Sequence, residues 1–399
     1  MNESSVSKRM TRLSPSMTFA MNALSNELKA KGIDVVNMSL GEPDFNTPAH
    51  VKAAACQAID GDYTHYTPVP GSLSLKEAII GKLQGENGLT YGPAEILVSN
   101  GAKQSLCNTV MALINEGDEV IIPAPSWVSY PPMVLLAGGV PVHIDTGIDR
   151  GFKMTPEQLE EAITPRTRML ILCSPSNPSG AVYSQEELEA LSETILRHEG
   201  LLVLSDEIYE HLNYVGAHAS IAACKGMRER TILVNGVSKA YAMTGWRIGF
   251  LAAPKWIVSA CSMLQGQYTS GPCSVSQKAA EAAWRGPQAC VEEMRQAFER
   301  RRDLLVKLMR EIPGLEVAVP EGAFYLFPKC SSYFGKTDGT RVIRTSTDFA
   351  MYLLEVGHVA TVGGDAFGAP AYFRLSYATS EDNIVEGTKR IAEALALLK

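Results

Sequence analysis

The sequence feature that most constrains the fold is a regular alternation of short apolar runs and amphipathic segments, which begins near Tyr91 and continues to about Glu207. The apolar runs have the length of buried strands, and the segments between them have the periodicity of helices that cover a sheet. Helices between successive strands imply right-handed crossovers, so we predict an α/β fold with a mostly parallel sheet flanked by helices. Strands are predicted at EILVSN, DEVIIPA, VPVHID, TRMLILCS and LLVLSDE, and helices at TPEQLEEAI, SQEELEALSETILRHEG and AKQSLCNTVMALINEG, the last ending at Gly117.

Beyond Gly286 the alternation gives way to one long charged helix and to short strands near GAFYLF and AYFRLSYA. This part of the sequence indicates a second, smaller α+β domain, and a length of 399 residues exceeds what one hydrophobic core usually serves. We predict that residues 50–286 form the large α/β domain and residues 287–399 the small domain, with residues 1–49 packing against the small domain.

Composition excludes several classes of function. The 36 Lys and Arg and 43 Asp and Glu residues give a net charge of −7 and are interspersed, which argues against a nucleic-acid groove or a polybasic membrane anchor. No apolar run approaches the roughly 20 residues that span a bilayer, and the opening segment lacks the apolar core of a secretory signal. The eight cysteines form no CxxC pair, so we expect reduced thiols and a cytoplasmic protein.

Common cofactor motifs are missing from the sequence. It contains neither a GxGxxG dinucleotide loop nor a GxxxxGK[ST] phosphate loop, and its seven histidines form no HExxH or similar spacing. A nicotinamide cofactor, a nucleotide triphosphate and a catalytic metal are therefore not expected, and no metal site is predicted.

Polar residues do follow the predicted strands, at the sheet edge where ligands bind in open parallel sheets. Gly101 precedes a helix start whose free N–H groups favour an anion, although a plain connection is the commoner meaning of such a junction. Asn177 lies between two prolines, and Asp206 ends an apolar strand; a loop or helix cap is the simpler interpretation of each. An isolated lysine such as Lys239 is most often a solvated surface residue. Here, however, no Asp or Glu occurs from 231 to 250 and the neighbours are apolar or small, and a lysine desolvated in such surroundings is a usable nucleophile.

Taken together, these polar residues indicate a ligand more specifically than any one of them does alone. Pyridoxal phosphate requires a Schiff-base lysine, a carboxylate for its ring nitrogen, a phosphate-binding cup and an aromatic stacking face. The sequence offers Lys239, Asp206, the helix start at Gly101, Arg247 eight residues after the lysine, and Trp127.

From about Ser14 to its end the sequence resembles the class I aminotransferases, pyridoxal phosphate enzymes of fold type I, and in particular the bacterial aspartate aminotransferase group. The resemblance implies that residues 50–286 bind the cofactor, that a smaller domain is built from both termini, and that the active sites lie at the interface of a homodimer. The motifs that carry it, in order, are LGEPDFNTP, YTPVPGSLSLKEAI, GAKQ, SPSNPSG, SDEIYEHL, SKAYAMTGWRIG, GAFY and FRLSYATS.

Roles for individual residues follow from the resemblance alone. Lys239 would carry the cofactor and act as general base, Asp206 would keep the pyridine nitrogen protonated, and Tyr209 would complete the catalytic set. The remaining cofactor contacts would come from Gly101, Ala102, Lys103, Ser238 and Arg247 at the phosphate, from Tyr66 of a second subunit, from Asn177 and Tyr209 at the phenolic oxygen, and from Trp127 on the ring.

The resemblance also implies a substrate site. Gly41 and Arg374 would bind the α-carboxylate, with Trp127 and Asn177 alongside. In the bacterial group a lysine in the GAKQ segment and a serine near the N-terminus bind the side-chain carboxylate, which here are Lys103 and Ser16; the simpler interpretation of Lys103 is a solvent-exposed residue in the first helical turn.

The implied reaction is ping-pong transfer of the amino group of L-aspartate to 2-oxoglutarate, giving oxaloacetate and L-glutamate. Alternatives on the same residues are an aminotransferase for aromatic amino acids or prephenate, and a pyridoxal phosphate-dependent C–S lyase. A transcription regulator with an aminotransferase-like domain would need a DNA-binding segment, which we do not expect because the resemblance begins within the first twenty residues.

Overall fold

The computed structural model describes residues 6–15 and 17–399, and a seven-stranded sheet forms the centre of the molecule. The strands are β1 (Val36–Asn37), β2 (Ile96–Ser99), β3 (Glu119–Ala124), β4 (Val140–Asp145), β5 (Thr167–Cys173), β6 (Leu202–Asp206), β7 (Thr231–Gly236), β8 (Gly249–Ala252), β9 (Tyr325–Leu326), β10 (Val359–Ala360), β11 (Val362–Gly363) and β12 (Phe373–Ser376). The strand order of the central sheet is β2-β8-β7-β6-β5-β3-β4, and within it only β8 runs antiparallel to its neighbours, β2 and β7.

Helices cover both faces of this sheet because its central strands are apolar on both sides. The helices are α1 (Met17–Ala30), α2 (Ala49–Asp60), α3 (Leu73–Asn87), α4 (Ala102–Leu113), α5 (Tyr130–Ala137), α6 (Pro156–Ala162), α7 (Gln185–Arg197), α8 (Lys255–Tyr268), α9 (Ser274–Arg285), α10 (Ala289–Arg310), α11 (Ser346–Glu355) and α12 (Glu381–Ala396). Helices α4, α5 and α8 pack on one face of the sheet, while α3, α6, α7 and α9 pack on the other.

One predicted helix boundary is wrong. The helix that we expected to reach Gly117 ends at Leu113, and Ile114 already has extended backbone angles. The Asn115 backbone N–H donates to Asp118 Oδ2 at 2.8 Å, which stabilises a turn in place of a further helical turn.

Two small sheets lie outside the central one. Strand β1, from the N-terminal segment, pairs in parallel with β10, and β12 pairs in antiparallel fashion with β11 and β9. Their apolar side chains join those of α10, α11 and α12 in one cluster, so segments from both ends of the chain share a core. The division at residues 49 and 286 stays a prediction.

No helix within the described ranges combines the length and the apolarity needed to cross a membrane.

Candidate active site

The carboxyl ends of the parallel strands bring most of the predicted residues to one edge of the sheet. Asp206 is the last residue of β6, Asn177 follows β5, and Lys239 follows β7. Gly101 follows β2, whose partner β8 is antiparallel and therefore begins at this edge, just after Arg247. The strand order thus places an amine, a carboxylate, an amide and a helix start around one cleft.

Lys239 is partly buried in the cleft, and its Nζ donates a hydrogen bond to the Gly41 carbonyl at 2.5 Å. Burial lowers the pKa of Lys239 to about 8; Glu42 opposes this shift, whereas Arg374 and Arg247 add to it. At pH 7 about a tenth of a lysine with this pKa is neutral, far more than for an ordinary lysine, and the neutral amine is the form that acts as nucleophile or base.

Asp206 is 4% exposed and accepts a hydrogen bond from the Tyr130 hydroxyl at 2.8 Å. Its other oxygen accepts the Ile208 backbone N–H at 3.3 Å. Burial raises the pKa of Asp206 to about 6, although both hydrogen bonds and nearby Lys239 favour the ionised form. A buried carboxylate of this kind gains most from a cationic partner placed beside it.

Arg374 is 2% exposed and has no carboxylate partner among the described residues. Its Nη1 donates to Asn177 Oδ1 at 3.0 Å and its Nη2 to the Ser39 carbonyl at 2.7 Å, while Nε has no hydrogen-bond partner there. Burial lowers the pKa of Arg374, but a guanidinium retains its charge at neutral pH. A buried cation with spare N–H groups is suited to bind a carboxylate.

The start of α4 forms a cup together with Arg247. Gly101 has φ +82°, and a Cβ there would lie 2.4 Å from Arg247 Nη2, so the close approach requires glycine. The guanidinium of Arg247 donates to the carbonyls of Thr244 and Asn100 at 2.9 and 3.1 Å. These contacts hold a positive group over the first N–H groups of the helix, which favours an anion.

Trp127 and Lys103 lie together beside this cup. The Lys103 ammonium lies 5.0 Å from the centre of the Trp127 ring, and the Trp127 ring packs edge-to-face on Tyr130 at 5.3 Å. Partial burial of the ammonium, and then the charge of Arg247, lower the pKa of Lys103. Lys103 is an exposed residue, and the contact of its ammonium with the Trp127 ring places it at the border of the cleft.

The other predicted residues differ in placement. Ser238 is buried beside Lys239, and Ala102 begins α4. Tyr66 is fully exposed, at 100%, and has no polar side-chain contact among the described residues. Ser16 lies outside the described residues.

Sequence reasoning missed three contributors to the cleft. Tyr130 holds Asp206, Ser39 accepts from Arg374, and the Tyr325 hydroxyl lies 2.8 Å from that of Tyr209. Tyr130 could have been found, because it stands three residues after Trp127 near the same strand end. The backbone contact of Ser39 and the hydroxyl of Tyr325 have no local sequence signal.

Comparison with known proteins decides the family. Residues 33–391 match the profile described as aminotransferase class I and II. The chain belongs to this family.

This aminotransferase is 49% identical to the aspartate/prephenate aminotransferase of Nitrosomonas europaea, over 98% of the chain and 100% of the relative. A crystal structure of the aspartate aminotransferase from Rhizobium meliloti has a TM-score of 0.96 at 47% identity, with 99% of each chain covered. The aspartate aminotransferase from Thermus thermophilus with maleate has a TM-score of 0.92 at 42% identity, over 99% of this chain and 100% of that one. The predicted family, the predicted α/β fold and transaminase activity are thereby confirmed.

Proposed function

We propose that this transaminase uses pyridoxal phosphate to transfer the amino group of L-aspartate to 2-oxoglutarate, giving oxaloacetate and L-glutamate. The observation that carries the proposal is a desolvated lysine amine that shares one cleft with a buried carboxylate and with a buried guanidinium that has no carboxylate partner in the part of the chain that the structure describes. We also infer a cytoplasmic enzyme with a large cofactor domain at residues 50–286, joined to a smaller domain formed by residues 1–49 and 287–399.

The donor set fits pyridoxal phosphate. The close approach of Gly101 and Arg247 forms a cup for a phosphate, with the N–H groups of Ala102 and Lys103 and the hydroxyl of Ser238 as further donors. Asp206 would meet the pyridine nitrogen, Trp127 would stack on the ring, and Asn177 and Tyr209 would bind its phenolic oxygen.

When bound, the cofactor supplies an electron sink for the negative charge that develops at the substrate Cα. Asp206 contributes by holding a proton at the ring nitrogen, since its buried charge is best offset by a cation. The Lys239 amine would take the proton from the substrate Cα, and its lowered pKa increases the neutral fraction that can accept that proton.

Arg374 orients the substrate. Its two terminal nitrogens already bond neutral oxygens of Asn177 and Ser39, and its remaining N–H groups suit an α-carboxylate. Gly41 carries the carbonyl that accepts from Lys239, so the carboxylate site and the amine are adjacent. Clamping the carboxylate fixes Cα beside the base.

Preference for a dicarboxylate needs a second cation, and Lys103 is the one we propose, with Ser16 beside it. Lys103 borders the cleft over Trp127. The Thermus relative is described with maleate, itself a dicarboxylate.

The test is a substrate panel on purified protein loaded with pyridoxal phosphate. We expect the highest kcat/KM for aspartate with 2-oxoglutarate, and parallel double-reciprocal plots because the two half-reactions are separate. Faster turnover of an aromatic amino acid than of aspartate would contradict the substrate assignment, and cysteine cleavage with release of sulfide would favour the C–S lyase.

Prephenate transamination is a second candidate activity. It is favoured by the Nitrosomonas relative, whose name includes prephenate. Prephenate is also a dicarboxylic oxo acid, so Arg374 and Lys103 could bind its two carboxylates. Assaying prephenate as acceptor with aspartate or glutamate as donor tests this activity, and a rate no higher than that without acceptor would exclude it.

Lys103→Ala is expected to reduce kcat/KM for aspartate about ten- to a hundredfold, chiefly through KM, because one charge-assisted contact to the distal carboxylate is lost. The same variant assayed with alanine or phenylalanine is the control and is expected to change little. Equal losses for acidic and apolar substrates would exclude Lys103 from side-chain recognition.

We further propose a homodimer in which Tyr66, fully exposed in one chain, binds the cofactor phosphate of the partner. Tyr66→Phe is expected to weaken cofactor affinity about ten- to a hundredfold, as one hydrogen bond to a charged group is lost. Tyr63→Phe, in the same segment, is the matched control in a fluorescence titration with the cofactor. A fully active monomer in sedimentation would contradict the role of Tyr66.

A further inference from the structure

Tyr325 contacts two parts of the cleft, the guanidinium of Arg374 and the hydroxyl of Tyr209. Tyr325 lies on β9, directly opposite Ser376 of β12. Arg374 is two residues from Ser376 along the same strand, so its side chain projects from the same face as Tyr325. The pairing of β9 and β12 therefore fixes the Tyr325 ring beside the guanidinium.

The ring of Tyr325 supports Arg374. The guanidinium carbon lies 4.5 Å from the centre of the Tyr325 ring and 5.0 Å from that of Phe367. Since Arg374 has no carboxylate partner among the described residues, these two rings are its main charge-stabilising neighbours apart from its bonds to Asn177 and Ser39.

The hydroxyl of Tyr325 reaches the other part of the cleft. It lies 2.8 Å from the Tyr209 hydroxyl, and both rings are almost fully buried. A Cβ on Gly41 would lie 2.7 Å from the Tyr325 hydroxyl oxygen, so the glycine leaves the room that this hydroxyl occupies. Burial raises the pKa of Tyr325 and of Tyr209, so both keep their protons at neutral pH.

We propose that Tyr325 is a positioning residue for transamination, whose hydroxyl donates to Tyr209 while its ring supports the Arg374 guanidinium. The inference rests on the proposed function, in which Tyr209 donates to the phenolic oxygen of the cofactor. The Tyr209 hydroxyl can donate one hydrogen bond to the cofactor and at the same time accept one from Tyr325. The bond accepted from Tyr325 polarises the Tyr209 O–H and so strengthens the bond that Tyr209 donates. Tyr325 thus affects both the strength of the bond from Tyr209 to the cofactor and the position of Arg374, which binds the substrate carboxylate.

Tyr325→Phe removes the hydroxyl and keeps the ring. With the cofactor bound, a weaker bond from Tyr209 would leave more negative charge on the phenolic oxygen, which would then hold a neighbouring proton more tightly. We expect the pH midpoint of the visible absorption band of the loaded enzyme to rise by roughly half to one unit, kcat to fall several-fold, and KM for aspartate to change less than about twofold.

Two further variants separate the ring from the hydroxyl. Tyr325→Leu removes both, so the midpoint is expected to rise and KM for aspartate to increase about tenfold. Phe367→Leu removes only the second ring against Arg374 and is expected to raise KM without moving the midpoint. Gly41→Ala displaces the Tyr325 hydroxyl without altering Tyr325, and its midpoint is expected to rise as well.

An unchanged midpoint and kcat in Tyr325→Phe would overturn the proposal, and so would a midpoint shift of equal size in Phe367→Leu, which would mean general loosening of the cleft. If Tyr325→Phe melts far below the wild type, the midpoint of Gly41→Ala decides in its place. A wild-type enzyme with neither a visible band nor transamination would instead refute the proposed function, so the two failures are distinguishable.

Discussion

Lys239→Ala is expected to abolish transamination and to remove the visible absorption band of the cofactor-loaded enzyme. The amine is both the attachment point that we propose for the cofactor and the base nearest the substrate Cα, and no other lysine of the described residues contacts Gly41. Loss of both roles is expected to lower kcat by roughly a thousandfold or more. Steady-state rates with aspartate and 2-oxoglutarate, together with an absorption spectrum, measure the effect.

The matched control is Lys225→Ala, which removes an exposed lysine from a turn distant from the cleft. It is expected to retain wild-type turnover and spectrum. Loss of Lys239 is expected to leave the fold intact, since alanine relieves the cost of burying a charge, and circular dichroism checks this. Near-normal transamination by Lys239→Ala would refute the assignment.

Most of the central sheet could be predicted because its strands are covered on both faces. Runs such as 169–173 and 201–204 are continuously apolar for that reason, and their lengths match buried strands. The predicted end of α4 at Gly117 failed because residues 114–118 contain a turn fixed by a side-chain contact, which periodicity does not register.

The candidate site also contains some residues that the sequence could identify and others that it could not. Asp206 and Lys239 could be chosen from the sequence because each lies just past a strand, and the fold brings strand ends together. Arg374 was placed by family resemblance alone, since its partner Asn177 is 197 residues away in the chain. The Tyr325 hydroxyl likewise depends on packing between β9 and the turn after β6, which no local pattern specifies.

Asp206→Asn is expected to lower kcat roughly a hundred- to a thousandfold, because a neutral amide cannot hold the ring nitrogen protonated and the negative charge at Cα loses its sink. Assays at saturating cofactor, aspartate and 2-oxoglutarate separate this loss of kcat from weaker binding of the cofactor or the substrates. Glu207→Gln is the matched control, since it neutralises the next buried carboxylate, which bonds Ser205, Ser220 and His218 instead of Tyr130. Equal losses in both variants would indicate general disturbance of the strand end.

The same substitution has a consequence for stability that is independent of turnover. The pKa of Asp206 rises from 3.8 to about 6 on folding. At pH values between these two, Asp206 is protonated in the folded cofactor-free protein and ionised in the unfolded chain. Stability contributed by Asp206 is therefore present below about pH 4 and is lost as pH rises through 6, by about 3 kcal/mol in total. Asp206→Asn cannot titrate, so its melting temperature is expected to fall less than that of the wild type between pH 5 and 7. Parallel curves for the two proteins would mean that Asp206 is already ionised at pH 5 and that its burial does not disfavour the charge.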